Sequence, residues 1–179
     1  MKKVGNNTLL AAIFTFLLLA GCSQQDPGVQ QPSDLTGNEV TYILSSGSDL
    51  GISGTATFKE QKDGFSTIVI SLTGIHGGED KQFPVHLHLG DVTTEDADIA
   101  SLLQPVDGKT GKSETNLMQL ANETSIHFDE LTELNACIKI HLAATGEGRN
   151  IILAAGNVGS AVIIGSASGK VGFGLCKSE

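Results

Sequence analysis

Positive charge is scarce in this sequence. Its 179 residues include 11 lysines and arginines against 20 aspartates and glutamates, which gives a formal net charge of −9 at pH 7. Nucleic acids and other polyanions are bound by basic surfaces. A chain this acidic is therefore not expected to bind nucleic acid or anionic partners, and its acidity favours either binding of cations or simply solubility.

Motifs of several enzyme classes are also missing. The chain has no Gly-x-Ser-x-Gly elbow, the turn that presents a nucleophilic serine in many hydrolases. The glycine-rich segment GNVG at residues 156–159 opens no helical pattern, so it lacks the context of a phosphate-binding loop. No sustained helical periodicity occurs between residues 40 and 176. Serine hydrolysis, nucleotide binding and a helical fold are thus not indicated.

One apolar run stands at the start of the chain, but it is too short to span a bilayer. Residues 9–19 follow a positively charged start and end in small residues before Cys22, which is the layout of a secretory signal. The LAGC ending at residues 19–22 resembles the lipobox of bacterial lipoproteins. That resemblance implies cleavage before Cys22 and a lipid on its sulfur; the alternative is an ordinary signal peptide with an incidental cysteine.

The resemblance to lipoproteins also implies a domain layout and a location. Residues 1–21 are a lipoprotein signal peptide, residues 22–38 a flexible tether and residues 39–179 the folded domain. The mature protein is expected in the bacterial cell envelope, anchored to the membrane through Cys22. Ser23 resembles residues that permit delivery to the outer membrane, and whether the protein faces the periplasm or the surface is left open.

Two cysteines remain if Cys22 carries a lipid. Cys137 and Cys176 form an even pair outside the cytoplasm, where disulfides persist. A bridge between them is expected to stabilise the fold by roughly 3–4 kcal/mol in the chain-entropy account. The alternative is a free thiol at Cys176, close to the end of the chain.

Short β-rich runs separated by glycine-containing turns recur through the rest of the chain. This pattern predicts an all-β fold, an antiparallel β-barrel or sandwich of about eight strands. The predicted strands are residues 40–44, 52–58, 66–72, 85–89, 137–143, 150–155, 161–165 and 171–175. The polar segment of residues 91–128 is predicted to be a long connection, within which residues 99–103 form either a helical turn or a short strand.

Two predicted strands carry histidines on the face opposite their apolar residues. In PVHLHLGD at residues 84–91, alternation places Val85, Leu87 and Leu89 towards the core, and His86 and His88 away from it. In CIKIHL at residues 137–142, Ile138, Ile140 and Leu142 likewise point inward, whereas Lys139 and His141 point outward.

Three outward imidazoles on two strands favour a transition-metal site over unrelated surface histidines. Imidazole is the commonest side-chain metal ligand, and such a set suits copper or zinc. We therefore predict a metal site at His86, His88 and His141. His76 and His127 are possible fourth ligands.

An ordered set of motifs resembles the copper/zinc superoxide dismutases. It comprises GTATF at residues 54–58, SLTGI at residues 71–75, HLHLGD at residues 86–91, the strand of residues 138–141 and GNVGS at residues 156–160. The resemblance covers roughly residues 50–91 and 137–176. It implies a Greek-key β-barrel in which His86, His88 and His141 bind copper.

Two departures from that family bear on activity. No histidine occurs between Asp91 and Ile126, where the family's zinc ligands and bridging imidazole are found. The residue after GNVGS is Ala161, where those enzymes have an anion-guiding arginine. The resemblance therefore implies a lipid-anchored copper protein in which zinc is doubtful and superoxide dismutase activity is weak or absent.

A second resemblance leads to a different function. The His-x-His-x-Gly motif and the GEGRN turn at residues 146–150, which follows the strand of His141, are similar to the chordin-type (CHRD) domain. This resemblance implies a related β-sandwich that acts as a non-enzymatic binding module of the envelope. Its protein or glycan partner is not indicated by the sequence.

Overall fold

The computed structural model describes residues 34–75, 80–162 and 174. The signal peptide, Cys22, His76 and Cys176 lie outside the described residues. The described part is built almost entirely from β-strands, with one short α-helix and one 3₁₀ turn. The strands are β1 Leu35–Ser46, β2 Ser53–Gln61, β3 Ser66–Thr73, β4 Gln82–Leu89, β5 Ile99–Asp107, β6 Lys112–Leu117, β7 Ala136–His141 and β8 Ile152–Val158, with α1 at Phe128–Glu133 and the 3₁₀ turn at Glu147–Asn150.

The eight strands form a closed barrel in the order β1-β2-β3-β6-β5-β4-β7-β8. All neighbouring strands pair antiparallel. Because β4, β5 and β6 form a meander and β3 returns to lie beside β6, the connections have the Greek-key pattern. The prediction of an all-β antiparallel barrel of about eight strands is therefore confirmed.

The polar segment of residues 91–128 contains two strands that its sequence conceals. Residues 99–103, left open between helical turn and strand, begin β5. The next strand, β6, reads KSETNL, and only Leu117 of its six residues is buried. Its position is set by its pairing with β3, from Ser66 opposite Leu117 to Ser71 opposite Lys112. The prediction of a long connection over residues 91–128 was therefore wrong. The strand β6 could not be recognised from an apolar pattern, because it is its pairing with β3 that makes it a strand.

Two ends of the predicted domain also differ from expectation. β1 begins at Leu35, some residues before the expected boundary at residue 39. Ala161 and Val162, the start of a predicted strand, are helical, and residues 163–165 lie outside the described residues. The strand predicted at residues 171–175 is described only at Gly174, which has no regular secondary structure.

The barrel interior is filled by aliphatic and aromatic side chains from every part of the sheet. Phe58 and Leu44 are fully buried, and Tyr42 meets Phe58 edge to face with ring centroids 5.0 Å apart. Val85, Leu87, Ile138 and Ile140 belong to the same core, as alternation predicted. Burying such side chains is the main favourable contribution to folding.

Leu89, at the end of β4, is more exposed than the alternation predicts. It was expected in the core, yet 41% of its surface is exposed. The register with β7 is unbroken, and Leu89 lies opposite the buried Ala136, so it is still on the core face. Leu89 is the last residue of the strand, and its exposure reflects this end position and not a change of face.

Close packing of the backbone requires glycine at the first position of the GTATF and GNVGS motifs. A side chain at Gly54 would collide with the carbonyl oxygen of Ser71, and one at Gly156 with that of Ile43. These strands approach too closely for a Cβ atom, so glycine is required at both positions.

The short helix α1 begins at His127 in a capping box. The backbone N–H of His127 donates to the Glu130 carboxylate at 2.9 Å, and Phe128 and Leu131 pack into the core. The His127 ring stacks on Phe65 with centroids 4.6 Å apart. No helix among the described residues is long and apolar enough to span a membrane.

Candidate metal centre

Adjacent strands β4 and β7 bring three histidines together. In the antiparallel register of these strands, His86 lies opposite Lys139 and His88 lies opposite Cys137. His141 follows Lys139 by two residues and is therefore on the same face of β7. One ring nitrogen from each of His86, His88 and His141 lies within 4.8 Å of the others. The His86 ring centroid is 5.6 Å from that of His88 and 4.9 Å from that of His141. Such spacing allows one metal ion to reach all three side chains.

The histidine cluster formed by these three residues lies outside the barrel wall but is not exposed. His88 and His141 are 0% and 1% exposed, and His86 is half-buried. The segment of residues 91–98 and the turn of residues 146–150 lie over the cluster, and each accepts a hydrogen bond from one of its rings. The expected orientation away from the core is therefore correct, although the rings are shielded from water.

Backbone carbonyls fix the tautomers of two rings. Nδ1 of His88 lies 3.0 Å from the Ala97 carbonyl oxygen, and Nδ1 of His141 lies 2.7 Å from that of Arg149. A carbonyl only accepts, so each Nδ1 carries the hydrogen and donates. In the neutral rings the lone pair is then on Nε2, the nitrogen that can bind a metal.

His86 differs in that its Nδ1 is buried without a hydrogen-bond partner. A buried polar atom without a partner costs about 1–3 kcal/mol. A bound metal ion would offset this cost by accepting the Nδ1 lone pair. The donors therefore fit a metal ion: Nδ1 of His86 and Nε2 of His88 and His141.

The pKa values of all three histidines are lowered. The pKa of His86 is lowered to about 4, mainly by burial and then by the charges of His141, His88 and Arg149 in that order of importance. Burial is also the main cause for His88 and His141, with a smaller contribution from Lys139, while the hydrogen bonds to carbonyls act in the opposite direction. The rings are consequently neutral near pH 7, which is the form that binds metal.

A buried cation accompanies the cluster. Lys139 is 0% exposed, and its Nζ donates to the Gly174 carbonyl at 2.8 Å and to the Thr94 carbonyl at 3.4 Å. Arg149 lies close enough for its charge to act on His86 and His141. The sequence pattern named Lys139 only as an outward residue and Arg149 only as part of a turn.

Asn157 was also missed by sequence reasoning, although it lies in the GNVGS motif. Its Oδ1 accepts from the Val92 backbone N–H at 2.8 Å, and its Nδ2 donates to the Ala161 carbonyl at 3.2 Å. Asn157 thereby ties the segment that covers His88 to the end of β8. The side chain of Ala161 is buried and carries no charge.

Of the two possible fourth ligands, His127 is not brought to the cluster. His127 caps α1 and stacks on Phe65, and His76 lies outside the described residues. Within the described part of the chain, His86, His88 and His141 are the one convergent group of three or more histidine, cysteine or carboxylate side chains. Cys137 is buried beside Val92 on the outer face of β7, and its bridge to Cys176 stays a prediction.

Fold and geometry together define an antiparallel β-barrel with a buried cluster of three histidines on its outer face. No known protein family, curated protein or solved structure matches the chain significantly.

Acid is expected to destabilise the metal-free protein. A histidine whose pKa is lower in the folded than in the unfolded chain binds protons more readily when unfolded, so stability falls as pH drops below about 6.5. For His86 the loss continues to about pH 4 and is on the order of 3 kcal/mol. Urea unfolding at pH 7 and pH 4.5 measures this difference.

The variant His86→Leu should show a smaller loss of stability between the two pH values. His127→Gln, which changes a histidine outside the cluster, is the matched control. If His86→Leu and the unmodified protein lose the same stability between pH 7 and pH 4.5, protonation of His86 is not the cause of the loss.

Proposed function

We propose that this protein binds one copper ion through His86, His88 and His141. The observation that carries the proposal is the convergence of three ring nitrogens within 4.8 Å, one of which is buried without a partner. Such an arrangement costs folding energy unless a ligand compensates for it. A solely structural role of the three rings does not explain why Nδ1 of His86 is left without a hydrogen bond.

Copper suits the ligand set better than zinc does. Imidazole binds both metals, and divalent affinity at nitrogen sites peaks at copper. Structural zinc sites are usually closed by four protein ligands, often cysteines. The described cluster offers three imidazoles and no thiolate or carboxylate, so it is not such a closed zinc site, and the resemblance to copper/zinc superoxide dismutases, which implies that these three histidines bind copper, is why we propose copper as the cofactor.

The barrel and the cluster agree with the resemblance to copper/zinc superoxide dismutases. Copper in such a site supplies one-electron oxidation and reduction of superoxide. The role of this chain's residues is to hold the metal and, through the half-buried ring of His86, to leave one side of the site nearer to solvent. Because Ala161 carries no charge to attract an anion, we propose that dismutase activity is weak or absent.

Copper titration tests the binding proposal. The purified protein should bind one copper ion per chain, and His88→Ala should weaken binding by at least roughly tenfold, since the loss of an outer-shell partner alone commonly costs that much. His127→Ala, with its histidine outside the cluster, should bind as the unmodified protein does. Absence of stoichiometric copper binding would refute the proposal. So would a copper affinity of His86→Ala and His88→Ala that equals that of the unmodified protein.

Superoxide consumption measures the activity separately. The copper-loaded protein is expected to consume superoxide at least about tenfold more slowly than the association rates near 10⁸–10⁹ M⁻¹s⁻¹ that favourable electrostatics permit. Raising the ionic strength should change the rate little, because Ala161 supplies no guiding cation and the two cations near the cluster, Lys139 and Arg149, are buried and half-buried and thus little screened by salt. A rate in that range, falling steeply with salt, would show an efficient enzyme and overturn the expectation of weak activity.

We also propose that the mature protein is held in the bacterial envelope by a lipid on Cys22. The LAGC ending and the tether-like composition after it support this location. The unmodified protein should sediment with membranes, whereas Cys22→Ala should appear in the soluble fraction. Cys22→Ala protein that still sediments with membranes in full would refute the anchor.

The second candidate is a metal-free binding module of the chordin type. It is favoured by the turn of residues 146–150, whose sequence carries that resemblance and whose Arg149 carbonyl holds the His141 ring. Metal analysis of protein purified from its native envelope discriminates between the two. Consistently metal-free protein supports the module, and stoichiometric copper supports the metal site.

A further inference from the structure

Lys139 is unusual in being a charged residue that is fully buried in the wall of the barrel. Burying an ammonium group is costly unless it is paired or hydrogen-bonded. Here Nζ donates to two backbone carbonyls, those of Gly174 and Thr94. Carbonyls satisfy the donors but, unlike a carboxylate, do not neutralise the charge. No carboxylate of the described residues lies within ion-pair distance of Lys139.

The charge of Lys139, which no described carboxylate neutralises, stands next to the histidine cluster. Lys139 is directly opposite His86 across the β4–β7 pair and two residues before His141 on the same face of β7. Lys139 lowers the pKa values of His88 and His141, as a nearby positive charge does. Arg149 acts in the same sense on His86 and His141. Lys139 and Arg149, the described side chains with a fixed charge that act on these rings, are thus both cations.

We infer that Lys139 gives the histidine cluster a preference for monovalent copper, Cu(I), over the divalent ions Cu(II) and Zn(II). The inference rests on the proposed copper site. The three ligands are neutral, so the ion keeps its full charge, and repulsion by a fixed cation is twice as large for a divalent as for a monovalent ion. Burial strengthens this difference, because little water lies between the two charges to screen it.

In this inference Lys139 does not bind the metal. Its charge changes the relative affinities of the histidine cluster for Cu(I) and Cu(II). Second-sphere groups are known to tune the potential and affinity of metal centres. A site that binds Cu(I) more tightly than Cu(II) has a raised reduction potential, because the reduced state is the more stabilised one. Such a site suits a protein that holds or passes on reduced copper.

Separate affinities for Cu(I) and Cu(II) test the inference on the full chain purified in detergent. Competition with a colorimetric Cu(I) chelator gives the first affinity, and competition with a Cu(II) chelator gives the second. In Lys139→Met, which keeps the length of the side chain and removes its charge, the ratio of Cu(II) to Cu(I) affinity should rise at least about tenfold. Lys139→Arg should keep the ratio of the unmodified protein.

Two further variants separate charge from structure. Lys139→Gln loses the charge but keeps N–H donors for the carbonyls, so it should shift the ratio in the same direction even where Lys139→Met folds poorly. Lys59→Met removes a half-buried lysine on β2, away from the cluster, that pairs with Glu39 on β1, and it should leave the ratio unchanged.

The outcomes distinguish this inference from the copper proposal itself. Failure of the unmodified protein to bind copper in either state refutes both. Copper binding with an unchanged ratio in Lys139→Met and Lys139→Gln refutes only the role of Lys139. A reduction potential of the unmodified copper protein below that of aqueous copper also overturns the inference, and this measurement requires no variant.

Discussion

The pairing of β4 with β7 is the constraint on which both the fold and the candidate site depend. Leu87 opposite Ile138 fills the barrel, and the alternate residues on the same two strands carry the imidazoles. Since the period of a strand is two, a slip of one residue in β4 would place His86 and His88 in the apolar interior. The energy that fixes this register is therefore the burial of the core, and the geometry of the cluster follows from it.

Strand geometry alone does not orient the rings. His88 and His141 are held through Nδ1 by the carbonyls of Ala97 and Arg149, which belong to two different connections. These connections are tied down in turn: Asn157 binds the backbone of Val92, and Lys139 binds that of Thr94. A cluster on the outside of a barrel thus acquires the burial of a core site, because ordered loops cover it.

Sequence patterns predicted those parts of the molecule that depend on local periodicity. The alternation in residues 84–91 and 137–142 correctly separated Leu87 and Ile138 from the histidines, and the strand-rich pattern indicated a barrel. The position of β6 was not predictable, because its residues are polar and only its pairing with β3 makes it a strand. The burial of Leu89 was predicted wrongly because it is the last residue of β4, although its register opposite Ala136 is regular.

The burial of the histidine cluster could likewise not be predicted from the sequence. It depends on contacts between residues far apart in the chain, such as the 2.8 Å hydrogen bond from Lys139 to Gly174. Nothing in the strand of residues 137–142 shows that a distant glycine carbonyl accepts from this lysine. A lysine on an outward face is ordinarily solvated, so its burial becomes visible only when the covering segments are in place.

The charge of the whole chain and the charge around the cluster have opposite signs. A net charge of −9 describes an acidic exterior, but charges on that surface act through water and are screened beyond roughly 8 Å at physiological salt. Lys139 is buried and Arg149 half-buried, so their effect on the rings is less screened. The acidic surface concentrates cations near the protein, whereas the two inner cations oppose the entry of highly charged ones. Composition therefore indicates which class of partner approaches, and in the copper site that we propose the local arrangement determines which ion is retained.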